Sequence, residues 1–307
     1  FVSYYDYYQP EADIQKTDTY IEKDSAINDE IDRLRHAATE WLLTREDVII
    51  VASVSCIYGI GNKEEYLGGV MSFRVGEKYV MKELIDRLVW LQFERGTLEF
   101  KQGMFRVLGD TIQIFPASHE LYYSFEFFGT ELENIRVVQP ITSHVLESIN
   151  SVDIFPASHT VTSPEHVKAI KPAILGELEK RIKYFKEQGN IVAAERLKTR
   201  VEYDLEMMTE VGYVKGIENY SRYLDGREPW APPMTLLDFF PENYLAFVDE
   251  SHITLSQVRG MFAGDKARKD MLIENGFRLP SAYDNRPLFF EEFEAKIKQF
   301  VCISATP

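Results

Sequence analysis

The sequence predicts an α/β protein: a parallel-sheet domain that carries a β-hairpin and a helical subdomain and is interrupted by an inserted α+β domain. Three observations lead to that expectation. Apolar, largely β-branched runs at Val48–Ala52, Leu245–Val248 and Phe300–Ile303 have the texture of strands buried on both faces. Residues 163–210 hold two apolar stripes at helical spacing. From about residue 69 the texture changes to short strands separated by Gly-Asp and Gly-Thr turns, the pattern of a separate α+β module. A length of 307 residues allows about two domains. With 45% hydrophobic and 27% charged residues, a disordered tail, a collagen-like fibre and a disulfide miniprotein are excluded.

Taken in order, Phe1–Tyr8 reads as one arm of a β-hairpin, Gln9–Asp13 as its bend and Thr17–Glu22 as its return arm. Ile27, Ile31, Leu34, Ala38 and Leu42 fall on one helical face. Val48–Ala52 is the buried strand, and Ser53–Gly61 a small-residue loop. In the insertion a helix, Met81–Phe93, precedes strands at Met104–Leu108, Thr111–Phe115, Tyr122–Phe128 and Leu132–Val138. The hexapeptide IFPASH occurs at 114–119 and again at 154–159 with unlike flanks, which suggests two similar strand ends and no repeat architecture. Ser163-Pro164 caps a helix with the stripe Val167, Ile170, Ile174, Leu178, Ile182 and Phe185; Pro172 should kink it. After Gly189-Asn190 a second stripe follows: Ile191, Ala194, Leu197, Val201, Leu205 and Met208. The two should form an antiparallel helical hairpin. Both chain ends read as cut, as if the chain were an internal piece of a longer protein.

Three motifs carry chemistry. Asp249-Glu250-Ser251-His252 follows the strand Leu245–Val248, and the carboxyl edge of a parallel sheet is where such folds bind ligands. In nucleotide hydrolases an Asp there holds Mg²⁺, usually through water, and the next Glu polarises the attacking water. Ser304-Ala305-Thr306 directly follows the last apolar strand; in helicase-like sheets such a hydroxyl turn couples nucleotide state to domain movement. An acidic helix cap and a strand-ending turn are the plainer readings of each motif alone. Third, Tyr4, Tyr5, Tyr7 and Tyr8 crowd one hairpin arm and Tyr20 lies on the other, with alternation setting Tyr5 and Tyr7 on one face and Tyr4 and Tyr8 on the opposite one.

The charge sum, 34 basic against 49 acidic residues, is −15, which excludes a general polyanion binder. The first 28 residues hold only Lys16 and Lys23 against six acidic residues. Nucleic-acid contact by this hairpin would therefore rest on tyrosines stacking against bases, at about 1–3 kcal/mol each. Cys56 and Cys302 lie far apart with no metal spacing, which suits a reduced cytoplasm. No run approaches the roughly 18 apolar residues of a membrane span. A phosphate-cradling Gly-x-x-x-x-Gly-Lys-Ser/Thr loop is absent from these 307 residues.

Together these stretches closely resemble the UvrB family of the bacterial UvrABC excinuclease. The resemblance is carried by FVSYYDYYQPEA, KTDTYIEKDSAINDEIDRLRHAAT, VIIVASVSCIYGIG, VEYDLEMM, GIENYSRYLDGR, VDESH, FRLPSAYDNRPL and FVCISATP, in the family's order from Phe1 to Pro307. It implies a helicase-type (RecA-like) core, domain 1a, formed by residues 29–68, 162–225 and 290–307. Domain 1b, with the hairpin, takes 1–28 and 226–289, and the inserted domain 2 takes 69–161. The resemblance also implies ATP and Mg²⁺ as cofactors, and damaged double-stranded DNA, UvrA and UvrC as partners. By it Asp249 and Glu250 are the Mg²⁺ and water-activating residues, and Ser304 to Thr306 the third helicase motif. Tyr4, Tyr5, Tyr7, Tyr8 and Tyr20 belong to the hairpin that enters between DNA strands, and Arg95 and Arg106 hold UvrA. The implied function is verification of DNA damage in nucleotide excision repair. The chain departs from the family at Asp13, where a tyrosine is usual near the hairpin tip, and at Leu108 and Ser124, where basic residues are usual. Lys266 stands for the common Arg, and Pro172 is unusual in its helix. The family's phosphate loop lies before Phe1 and its later motifs after Pro307. Two other readings stay open: a non-catalytic UvrA-binding adaptor related to a transcription–repair coupling factor, and a generic single-strand helicase.

Overall fold

The computed structural model describes residues 1–14, 19–96 and 98–305. In chain order, strands β1 (Tyr5–Gln9), β2 (Ala12–Ile14), β3 (Thr19–Ile21) and β4 (Asp24–Ile27) lead into helix α1 (Asp29–Thr44). Next come α2 (Lys63–Gly68), β5 (Met71–Arg74), α3 (Met81–Trp90), β6 (Glu94–Arg95), β7 (Met104–Leu108), β8 (Thr111–Phe115), β9 (Tyr122–Phe128), β10 (Glu131–Val138), β11 (Val145–Ile149) and β12 (Ser151–Ile154). The remainder holds α4 (Pro164–Glu187), α5 (Ile191–Val211), α6 (Ser221–Leu224), β13 (Leu245–Val248), α7 (Ser251–Glu274), α8 (Phe290–Lys296) and β14 (Gln299–Cys302). The chain divides into two units. The core unit is Phe1–Asn28, Asp47–Gly61 and Pro164–Pro307; the insertion unit is Asp29–Glu46 and Asn62–Ser163.

In the core unit the helical hairpin forms as its periodicity predicts. Asn190 caps α5 by accepting the Ala193 N–H at 3.1 Å, and Gly212 ends it in the left-handed conformation that glycine adopts without a Cβ clash. Val167, Ile174, Leu178 and Phe185 of α4 bury against Ala194, Leu197, Val201, Leu205 and Met208 of α5. Ile191, expected in that stripe, is exposed at the first position of α5. Helix α4 runs on through Pro172, with burial of Ile174 and Leu178 on its far side holding the helix together.

Strands β13 and β14 pair in parallel, Val248 opposite Cys302. Val48–Ala52 is not a strand. Ile49 is 93% and Val51 82% exposed while Val48 and Ile50 are half-buried, so the run is not buried on both faces. Its ladder contacts are to Phe1, whose amino group donates to Val51 O and whose carbonyl accepts the Ser53 N–H. A strand exists only where neighbours supply a ladder, and a hydrophobic run does not bring its own.

The hairpin differs from expectation too. The chain does not turn at Gln9–Asp13: Pro10, which lacks an N–H, only interrupts the arm, and β2 resumes beyond it. Two short antiparallel ladders result, β1 with β4 and β2 with β3. The expected start of the return arm, Thr17, lies outside the described residues.

The insertion unit is built on a six-stranded sheet in the order β11-β10-β9-β8-β7-β6, antiparallel except for the β6–β7 pair. Alternation drives Phe105, Ile112, Ile114, Phe125, Leu132 and Ile135 to one face, where Leu84 and Leu88 of α3 cover them. Strands β5 and β12 pair separately. Both IFPASH copies leave the end of a strand, β8 and β12, and then turn. Helix α1 belongs to this unit.

Candidate functional site

The acidic motif sits where β13 ends. Asp249 and Glu250 are exposed, and Asp249 Oδ1 accepts the Glu250 N–H at 2.9 Å. Glu250 itself is left-handed (φ +42°, ψ +51°), a conformation that costs a non-glycine residue on the order of 1–2 kcal/mol. Strained backbone of this kind collects at functional sites. From that kink α7 starts, and Thr254 Oγ1 donates to Asp249 O at 2.8 Å. The end of β14 is tied alongside: the Ile303 N–H donates to Val248 O and the Ser251 N–H to Ile303 O, both at 2.9 Å. Ser304 is thereby brought within 2.7 Å of His252 Nδ1, which is 3.5 Å from Glu250 Oε2. Glu250 and Ser304 thus meet through one imidazole. Sequence reasoning gives His252 no role of its own; its position two residues after Glu250, at the start of a helix, is the available signal. Thr306 lies outside the described residues.

The tyrosine arm does not alternate as a regular strand. Tyr5 pairs with Ile27 and Tyr7 with Ala26, so a bulge falls at Asp6 and shifts the phase by one residue. Tyr5 and Tyr8 stack at 4.7 Å between ring centroids, and Tyr4 stacks on Tyr5 at 4.4 Å. Three rings therefore form one column, contrary to the expected split of Tyr4 and Tyr8 from Tyr5. Tyr7 is outside it, 49% exposed and donating its hydroxyl to Gln9 Oε1. The bulge is held by Asn28, whose Nδ2 donates to Asp6 at 3.1 Å and whose N–H donates to Tyr4 O at 2.8 Å.

Two ion pairs fasten the hairpin to the rest of the core unit. Glu11 meets Arg278 at 2.9 Å with both side chains nearly buried, and Lys23 meets Glu218 at 2.9 Å. Burial pulls the Glu218 carboxyl up, but the charge and hydrogen bond of Lys23 overcome it and hold it below the usual range. Tyr20 lies flat on Phe277 (4.2 Å, 4° between planes), with Arg196 over Phe277 at 4.2 Å. Burial, then the hydrogen bond to Glu11, raises the Tyr20 phenol.

In the insertion unit, Arg106 Nε donates to Gln113 Oε1 at 2.6 Å and its guanidinium lies 4.3 Å over Phe100. Arg95 is exposed on the edge strand β6, opposite Phe105, so it and Arg106 do not share a face. Leu108 is exposed and Ser124 is buried. The register does align a row, Arg106, Gln113, Ser124 and Arg136, across four strands. Arg136 pairs with Glu126 at 2.9 Å. It has no signal in the sequence, because only strand pairing puts it beside Ser124. Both cysteines are free thiols, and no described helix is long and apolar enough to cross a membrane.

A parallel strand pair with an acidic, strained carboxyl edge and an inserted mixed sheet define a helicase-like α/β chain. Residues 71–160 match the UvrB interaction domain and residues 165–226 the UvrB third helical domain. Over its whole length the chain is 54% identical to the UvrABC system protein B of Streptococcus suis, covering 47% of that protein. It is 52% identical to that of Streptococcus agalactiae serotype Ia and 54% to that of Streptococcus sanguinis, covering 46% of each. The chain belongs to the UvrB family and spans about half the length of the curated relatives it matches.

Proposed function

We propose that this chain is the hairpin-bearing, partner-docking part of an excinuclease component that verifies damage in bacterial nucleotide excision repair. The parent protein, acting in the cytoplasm, opens damaged double-stranded DNA with ATP after UvrA loads it, and then hands the site to UvrC. The observation that carries this reading is the tyrosine column on a hairpin fastened by two ion pairs. Stacked rings offer aromatic faces to unpaired bases without needing cations. A hairpin fastened at Glu11–Arg278 and Lys23–Glu218 keeps that column in place while a strand passes.

The residues at the end of β13 suit ATP and Mg²⁺. Asp249 offers an exposed carboxylate, a hard oxygen donor of the kind Mg²⁺ takes through water. Bound Mg²⁺ would neutralise charge developing on the phosphates. Glu250 orients the attacking water, and His252 links Glu250 to Ser304 so that a change at one is felt at the other. Arg95 and Arg106, with Arg136 in the same row as Arg106, supply cations for UvrA on the insertion unit.

The test uses the full-length protein. Tyr7→Ala with Tyr8→Ala should impair stable loading on lesion DNA, and loading and incision at the wild-type level would remove the hairpin from the mechanism. Glu250→Gln should abolish ATP turnover while ATP still binds. Unchanged turnover would remove Glu250 from the hydrolysis, and absence of turnover in the unmodified protein would leave the adaptor reading, a UvrA-binding chain without catalysis.

A further inference from the structure

The repeated hexapeptide has a use that DNA verification does not account for. Each copy of IFPASH ends in a histidine, and both histidines reach the same turn of α1. From the first copy, Ser118 Oγ donates to Glu40 Oε2 and His119 Nε2 lies 3.1 Å from Glu40 Oε1. From the second, His159 Nε2 lies 2.9 Å from Thr39 Oγ1, one residue away. The Thr39 hydroxyl donates to His36 O at 2.9 Å, an arrangement that leaves its lone pair facing His159 Nε2. The His159 ring also stacks on His36 at 4.1 Å with 13° between planes, and on its other side lies Tyr66, 5.5 Å away. His36 is 3% exposed, and among the described residues its Nδ1 has no hydrogen-bond partner.

We propose that the two IFPASH copies are a pair of clasps on α1, and that the clasp of His159 on His36 opens when either imidazole takes up a proton. Two stacked rings cannot both be cations, and the nearest charge on α1, the buried Arg35, is of the wrong sign to help. Among the described residues Glu40 is the carboxylate that bonds to the clasps, and it is already engaged by Ser118 and His119; Asp32, one turn before His36, is raised by burial and faces the charge of Arg35. Tyr66 and Tyr123, from α2 and β9, are neutral; the charged pairs Arg33–Glu120 and Lys101–Asp29 lie at the N-terminal half of α1. Burial first, then Arg35, pulls His36 down to about 3, and burial, His36 and Arg35 pull His159 well below its ordinary value. Both groups are depressed, so the docked helix has its full stability above about pH 6.5 and loses it as pH falls below that value.

The test is hydrogen exchange of α1 amides in the full-length protein from pH 7.5 to 5.5, corrected for the intrinsic pH dependence of exchange. Protection of residues 36–44 should fall below pH 6.5, by about tenfold to a hundredfold per pH unit as one or both histidines are released. His36→Phe keeps the stacked ring and leaves only His159 to titrate, so the step should shrink to at most about tenfold per pH unit, and His36→Phe combined with His159→Phe should flatten the profile. His119→Gln should leave the step in place. Protection independent of pH in the wild type, or an undiminished step in the double variant, overturns the proposal. Should His36→Phe fail to fold, histidine C2-proton exchange on the wild type decides: an ordinary titration near pH 6.5 at both His36 and His159 also overturns it.

Discussion

Asp204 is a fully buried carboxylate whose neighbours show what one side chain can be worth. The Tyr220 hydroxyl donates to its Oδ2 at 2.7 Å and Arg200 Nε at 3.1 Å. Tyr220→Phe removes a donor from a buried charge and should lower stability by about 1–3 kcal/mol in urea unfolding; an unchanged midpoint would mean that Arg200 alone satisfies Asp204. At the end of β13, His252→Ala should lower ATP turnover of the full-length protein more than ATP affinity, because His252 joins Glu250 to Ser304, itself 52 residues further along the chain than His252. Equal loss of both would assign His252 to binding. Asp249 and Glu250 were legible in the sequence because a strand followed by acidic residues is a local pattern. The imidazole link was not, since it depends on β14 arriving alongside. The tyrosine faces were misjudged for a related reason. A bulge is decided by pairing with β4, and one extra residue reverses every side chain beyond it.

At the scale of elements, the hairpin is held by charges that lie far from it in sequence. Arg278→Met strands the Glu11 carboxylate in a nearly buried position, which should cost about 3–5 kcal/mol and speed amide exchange in β2 and β3. Unaltered exchange there would show that the Tyr20–Phe277 stack alone suffices. The second fastening, Lys23–Glu218, is depressed on its carboxylate side. On that side its contribution is complete above the usual glutamate range near pH 4.3 and fades below it, so exchange in β4 should quicken as the pH falls into that range. Gly276, at φ +75°, packs its Cα face on α5, where an added Cβ would come within 2.8 Å of Ala193 Cα. Gly276→Ala should therefore destabilise the core unit by more than the roughly 1 kcal/mol typical of a point mutation. Helices α4 and α5 were legible because 20 or more residues repeat one spacing. Strands β5 and β12 were not, being four residues each and partners across some 80 residues of chain.

For the whole molecule, a net charge of −15 sets how DNA binding should respond to salt. If aromatic stacking carries the contact, affinity for opened DNA should fall only shallowly with ionic strength; each phosphate neutralised adds about −0.9 to the slope of log K against log salt. A slope of about −5 or steeper would relocate the contact to a basic surface. The partition of the chain has a consequence of another sort. It passes between the two units after Asn28, Glu46, Gly61 and Ser163. A module spliced into a host at one point hangs on two threads, and two cuts free it. Here the chain crosses between the units four times, and all four passages must be severed before no covalent thread joins them. A protease that nicks after Gly61 alone should yield two bands on a denaturing gel and a single species in native gel filtration.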